Sequence, residues 1–152
     1  MTSIQIPARY QHAAIAHIMV KNAVTAIDFY QQAFDAQVGL NITSPEGQVI
    51  HAEIMIGQSL VMLGDATAPF ATPQTLGASA VGLHVYVSDV DAFTEHAKKS
   101  GVKELQPPQD MFYGARQSMM QDPYGHIWIF LTHTEDLSTQ EIEQRARQLF
   151  KQ

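Results

Sequence analysis

The sequence predicts an α+β fold: two βαβββ modules, each a mixed sheet with one helix against it, followed by a C-terminal helix. Three observations predict it. A strand-then-helix pattern occurs twice, at residues 16–34 and again at 82–100, which marks an internal repeat. Each copy is followed by segments of strand character separated by turn residues. The composition, 45% hydrophobic and 16% charged over 152 residues, suits one packed core rather than disorder or independently folding domains. Residues 1–152 are therefore read as a single domain, with module one at about 13–64, a linker at 65–80, module two at 81–133 and the terminal helix at 138–150.

In module one, residues 16–20 are β-rich and end at Val20 in a short polar turn. Asn22 is the expected N-cap of the first helix, because its side-chain oxygen can take an otherwise free first-turn amide. Strands are predicted at about 37–43, 49–56 and 59–63, and Gly57-Gln58 suits a tight hairpin because glycine accepts positive φ. Residues 64–80, rich in Ala, Thr and Pro, form either a plain connection or a loop over a cavity.

In module two the strand ends at Val87, Ser88 or Asp89 caps the second helix, and Gly101 ends it in a left-handed conformation. Strands are predicted at 102–105, 115–121 and 126–132. The last two are joined by Asp122-Pro123-Tyr124-Gly125, where proline presets φ and glycine closes the turn. Residues 106–114 are predicted to be a loop whose apolar Met111, Phe112 and Tyr113 either tuck under it or line a ligand site. Ser138 and Glu141 have capping-box spacing and open the last helix, which Leu149 and Phe150 are expected to dock.

Composition removes several function classes. Without cysteine there is no disulfide framework, thiolate metal site or cysteine nucleophile. A net charge of −6 without a basic patch argues against nucleic acid and mildly favours a cationic ligand. No apolar run approaches the roughly 20 residues that cross a bilayer, and the N-terminus lacks a secretory pattern. No membrane partner and cytoplasmic residence are the default expectations. No nucleophile elbow, phosphate-binding glycine loop or paired carboxylates stand out, which puts hydrolase and nucleotide-dependent chemistry last.

Residues 26–30 on the first helix, His51 with Glu53, residues 113–116, residues 122–128 and Thr132-His133 together resemble the PhnB-like branch of the vicinal oxygen chelate (glyoxalase/bleomycin-resistance/dioxygenase) superfamily. The resemblance covers nearly the whole chain, and its specificity lies in the order and spacing of the motifs. It implies a cupped sheet for each paired module and a symmetric homodimer. It also implies either a divalent-metal enzyme or a metal-free protein that sequesters an antibiotic. The family's enzymes carry ligands on the first, fourth, fifth and eighth strands: His or Gln, Glu, His and Glu. The aligned positions here are Ile15, approximately Met62, Gly82 and Ile129, none of which binds a hard or borderline cation. No metal, no cofactor and no catalytic residue are therefore assigned.

Strand periodicity places His17 on the same face as Ile15, His84 and Tyr86 with Gly82, and Ile127 with Ile129. With Met62 and the loop residues Phe112 and Tyr113, these line the expected ligand site. Arg116 joins them if its forked donors hold an anionic group; otherwise it pairs with Asp110 or Asp122. His17 and His84 occupy matching places in the repeats. They are either partly buried histidines bonded to backbone carbonyls or ligand contacts, a general base or a relocated metal pair. His51 and Glu53 share a face that is expected to be solvated, and would hold metal only if His17 or His84 converged on them. His126 and Trp128 are expected in the core. The function expected is metal-free binding or sequestration of a small organic molecule, cationic by preference and with antibiotics among the candidates, in a mainly apolar dimer cavity. The rivals are a glyoxalase-like lyase or isomerase using a displaced metal site or histidine acid/base chemistry, and a dimeric scaffold with a filled cup.

Overall fold

The structure, a computed structural model, describes residues 5–11 and 13–151; the extreme ends of the expected domain, residues 1–4 and 152, and His12 lie outside the described residues. A three-residue 3-10 turn, Ala8–Tyr10, precedes module one: β1 (His17–Val20), α1 (Ala23–Phe34), β2 (Gln37–Thr43), β3 (Val49–Ile56) and β4 (Ser59–Asp65). The connection carries a short helix, α2 (Pro73–Leu76). Module two is β5 (Gly82–Tyr86), α3 (Val90–Lys99), β6 (Lys103–Met111), β7 (Ala115–Gln121) and β8 (Ile127–His133), and α4 (Thr139–Leu149) closes the order. The two sheets repeat one topology, β1-β4-β3-β2 and β5-β8-β7-β6, with one parallel pair each.

Local chemistry sets the helices where the sequence puts them. Asn22 Oδ1 accepts from the Thr25 amide at 3.2 Å, and Ala23, Ala26, Ile27, Tyr30, Ala33 and Phe34 form the buried stripe of α1 at helical spacing. Asp89 Oδ1 caps α3 through the Ala92 amide at 3.0 Å. Beyond its end Gly101 takes φ +97°, as expected of a helix-ending glycine. Ser138 and Glu141 form the reciprocal capping box that opens α4.

Alternation along the strands divides each sheet into two faces. Ala52, Ile54 and Ile56 of β3, Val61 and Leu63 of β4, and Trp128 and Phe130 of β8 point to the helices and form one core shared by both modules. Asp122 ties the modules together inside it. Its Oδ2 accepts from the Tyr30 hydroxyl at 2.6 Å and from Trp128 Nε1 at 2.8 Å, and its Oδ1 accepts from the amides of Tyr124 and His126, each at 2.9 Å. Burial and the Asp122 carboxylate push the Tyr30 phenol well above its ordinary pKa, so it stays a donor. His126 and Trp128 are in the core as expected, with His126 Nε2 2.8 Å from the Met19 carbonyl.

Three expectations are corrected. Residues 106–111 belong to β6 rather than to a loop. β6 is the edge of its sheet, where a proline's missing N–H costs no ladder bond, and the pairing with β7 shifts register between Gln106 and Gln109, across the two prolines. Only Phe112–Gly114 turn. β8 starts at Ile127, since residues 122–126 form the turn. Leu149 and Phe150 do not dock the last helix: they are 56% and 76% exposed, and α4 buries no residue in this chain.

Candidate functional site

With the helix-facing side chains committed to the core, the opposite faces of the sheets are what the fold leaves for chemistry. On the first sheet, β4 lies between β1 and β3, with Met62 opposite both His17 and Glu53. His51 and Met55 on β3 and Leu60 on β4 extend this face. Glu53 is the unexpected member. It is only 3% exposed, which corrects the reading of His51 and Glu53 as a solvated face: β3 is an interior strand, and the N-terminal turn comes down over it.

Glu53 is charged and paired there. Arg9 Nε donates to its Oε2 at 3.0 Å, the Tyr10 hydroxyl donates to its Oε1, and His51 Nε2 stands 3.5 Å from Oε1. The Tyr10 hydroxyl first, and then Arg9 and His51, hold the Glu53 carboxyl below the usual carboxylate range against the opposing cost of burial. Arg9 also stacks over the Tyr10 ring, 4.2 Å from its centroid. His17 meets His51 edge-on at 5.5 Å between ring centres, and its pKa is lowered by burial and by that neighbour.

On the second sheet, Ala115, Ile129 and Leu131 form a small buried cluster, against which Tyr113, Met119 and Ile127 pack. His84 and Tyr86 lie opposite Ile129 and Leu131 in register, so they continue the same face, and both are exposed. The Tyr113 hydroxyl donates to Gln117 Oε1. Where the two sheets approach, Arg9, Ile15, Met55, Leu60, Gly82 and His84 line a cavity of about 600 Å³. A smaller one of about 300 Å³ lies between the linker and β1, touched by His17, Met19, Phe70, Leu76 and His126, so the linker does arch over a cavity.

The residues singled out from sequence thus fall into groups. His17 and Met62 share the first sheet. Ile15 and His84 meet at the junction cavity, Ile15 from the segment before β1. Tyr86, Ile127 and Ile129 share the second sheet, and Tyr113, on the β6–β7 turn, packs against its buried cluster. Phe112 sits on the β6–β7 turn, edge-on to Tyr113 and facing Phe150. Arg116 stands apart with its fork engaged: Nε and Nη2 bind Asp91 at 2.6 and 2.9 Å, and Nη1 binds Asp110 at 3.1 Å. Asp122, the other partner considered for it, is in the core instead. His17 and His84 are exposed and hold no backbone carbonyl among the described residues; the histidines that do are His96, to Gln32, and His126.

The donor chemistry does not fit the family's metal. Ile15, Gly82 and Ile129 offer no ligating side chain and Met62 only a thioether. Among the described residues no three His, Asp or Glu side chains gather to hold an ion. Sequence reasoning missed Arg9 and Tyr10. A signal existed: Glu53 lies between Ala52 and Ile54 on an apolar strand and requires a counter-ion, and only Arg9 and Lys21 are cationic before Lys98.

Comparison with known proteins agrees with this geometry. Residues 9–130 match the Glyoxalase/Bleomycin resistance protein/Dioxygenase superfamily. An uncharacterized protein of Mycobacterium bovis, Mb0911c, is 34% identical over 132 residues, which cover 84% of this chain and 87% of the relative. TioX from Micromonospora sp. ML1 superposes with a TM-score of 0.65 at 25% identity, covering 83% of this chain and 99% of TioX. A PhnB protein from Bacillus cereus shares the fold with a TM-score of 0.59 at 19% identity, covering 80% of this chain and 99% of that one. No helix among the described residues is long and apolar enough to cross a membrane. On the family match and the repeated βαβββ topology together, the chain belongs to the glyoxalase/bleomycin resistance protein/dioxygenase superfamily.

Proposed function

We propose that this protein captures a small organic molecule without a metal, in the cavity where the two sheets meet. The observation that carries the reading is the roughly 600 Å³ cavity whose wall includes Ile15 and Gly82, two positions where the family's enzymes hold metal ligands. A volume of that size accommodates a drug-sized molecule, and apolar walls with a few polar groups are the usual makeup of such sites. Ile15 and His84 would contact the ligand directly, and His17, Met62 and Tyr86, on the adjoining sheet faces, would meet a ligand that extends out of the cavity. Tyr113, Ile127 and Ile129 would extend the wall, and Phe112 and Arg116 would enter only through rearrangement or a second copy. A homodimer closing the exposed cup faces, cytoplasmic residence and an antibiotic among the ligands all belong to this proposal; the family's own description includes bleomycin resistance.

A thermal-shift screen of cationic antibiotics and aromatic metabolites tests it, because a ligand held only by the folded state raises the melting temperature by mass action. Shifts unchanged by a chelator are expected. Failure of every compound to shift the protein, or shifts that need an added divalent ion, would contradict it.

One observation favours a rival, acid/base chemistry of a lyase or isomerase. The ring of His17 is held toward its neutral form beside His51, which in turn approaches Glu53. Turnover of a glyoxalase-type substrate, lost in His17→Gln with the fold intact, would establish that reading over simple capture.

A further inference from the structure

We propose that Glu53 is the anchor for a guanidinium or amidinium group on the ligand, and that the Arg9 turn occupies this anchor until a ligand displaces it. The inference rests on the capture reading above and names the class of molecule captured.

Glu53 is almost fully buried on the cup face of an interior strand, where a carboxylate is costly unless its oxygens are paired. The chain pairs them with a guanidinium and a hydroxyl brought from outside the sheet. The element that brings them is slight: the turn Ala8–Tyr10 buries none of its residues, and the Arg9 side chain is half exposed. The turn is therefore held on the sheet chiefly by Glu53, and a competing cation needs to replace only those contacts. Met62 lies opposite Glu53 in register and His51 Nε2 stands 3.5 Å from its Oε1, so a thioether and an imidazole flank the carboxylate. Arg9 is also a wall of the junction cavity, alongside Met55 and Leu60. Moving the Arg9 side chain aside opens the carboxylate toward this cavity, where Ile15, Met55 and Leu60 stand beside Gln58 and Ser59, so the ligand that fits carries a planar cationic head on a partly apolar or aromatic body. The net charge of −6 draws such a molecule toward the protein.

Benzamidine, with the isosteric neutral benzamide as control, is the probe. Calorimetric titration should show benzamidine binding and benzamide not. Arg9→Ala, which removes the internal competitor without touching the core, should bind benzamidine about tenfold more tightly, the factor for a turn docked in about nine molecules of ten. Glu53→Gln should abolish binding. Because that variant also loses the turn's own anchor, its fold is checked by NMR. The amide resonances of residues 8–11 should shift alike on adding benzamidine to the wild type and on making Glu53→Gln. Equal or weaker binding by Arg9→Ala, or retained binding by Glu53→Gln, overturns the proposal. If benzamidine fails while neutral aromatic compounds still shift the melting temperature, this inference alone falls; if nothing binds, the capture reading falls with it.

Discussion

Ile129 lies over Gly82: its Cδ1 is 2.7 Å from where a β-carbon on Gly82 would stand. The two positions that the family resemblance aligns with metal ligands thus hold one aliphatic side chain resting on bare backbone. The pair should be coupled. Ile129→Ala is expected to cost about 3 kcal/mol, the loss of a buried branched chain plus the cavity it leaves. Gly82→Ala alone should cost about 1 kcal/mol as Ile129 is pushed aside, and almost nothing when Ile129 is already alanine. Urea unfolding of the four proteins in the cycle measures this, and strict additivity would show that the contact does not matter.

Asp122 should be among the most sensitive positions in the chain. Asp122→Ala leaves the buried Tyr30 hydroxyl, Trp128 Nε1 and two amides without their acceptor. A loss of about 3–5 kcal/mol is expected, against about 2 kcal/mol for Tyr30→Phe, which removes one bond to a charged group. Denaturant midpoints at constant slope check the order of the two.

The Glu53 carboxyl titrates below its ordinary value in the folded state. Its contribution to stability is therefore complete above the unfolded pKa of about 4.3 and fades as pH falls through the lower folded value. The stability gap between wild type and Glu53→Gln should be constant from neutral pH down to about pH 5 and shrink below about pH 4. Urea unfolding across that range measures it; a gap that widened on acidification would contradict the pairing with Arg9 and Tyr10.

Helix α4 buries nothing in this chain, so its cap acts locally. Ser138→Ala should cost about 1 kcal/mol in that helix and speed amide exchange across 139–149 while the global unfolding midpoint stays put. A matching fall in global stability would mean that α4 is docked.

Much of the fold was legible because repeats, caps and turns are local signals. Asn22, Asp89, Gly101 and the Ser138–Glu141 box each act within a few residues of themselves, and the alternation in β3, β4 and β8 assigns faces directly. The strand through residues 106–111 was not legible, because proline tolerance depends on a strand being at an edge, a fact of topology. The site was legible only in part. The lack of ligating side chains at Ile15, Gly82 and Ile129 followed from aligning the helices and the Asp122–Gly125 turn with the family's pattern. The burial of Glu53 depended on a turn more than forty residues away, and the Arg116–Asp91 bridge on how α3 lies across β7.

The claim that the cup captures its ligand by shape and charge without a metal is tested most directly by titrating the strongest binder from the screen into three samples: untreated protein, chelator-treated protein and Ile15→Trp, which enlarges a side chain lining the junction cavity from outside the strands. The account predicts equal affinities in the first two and a loss of at least about tenfold in the third. Binding that disappears with the chelator, returns with a divalent ion and ignores Ile15→Trp would contradict it.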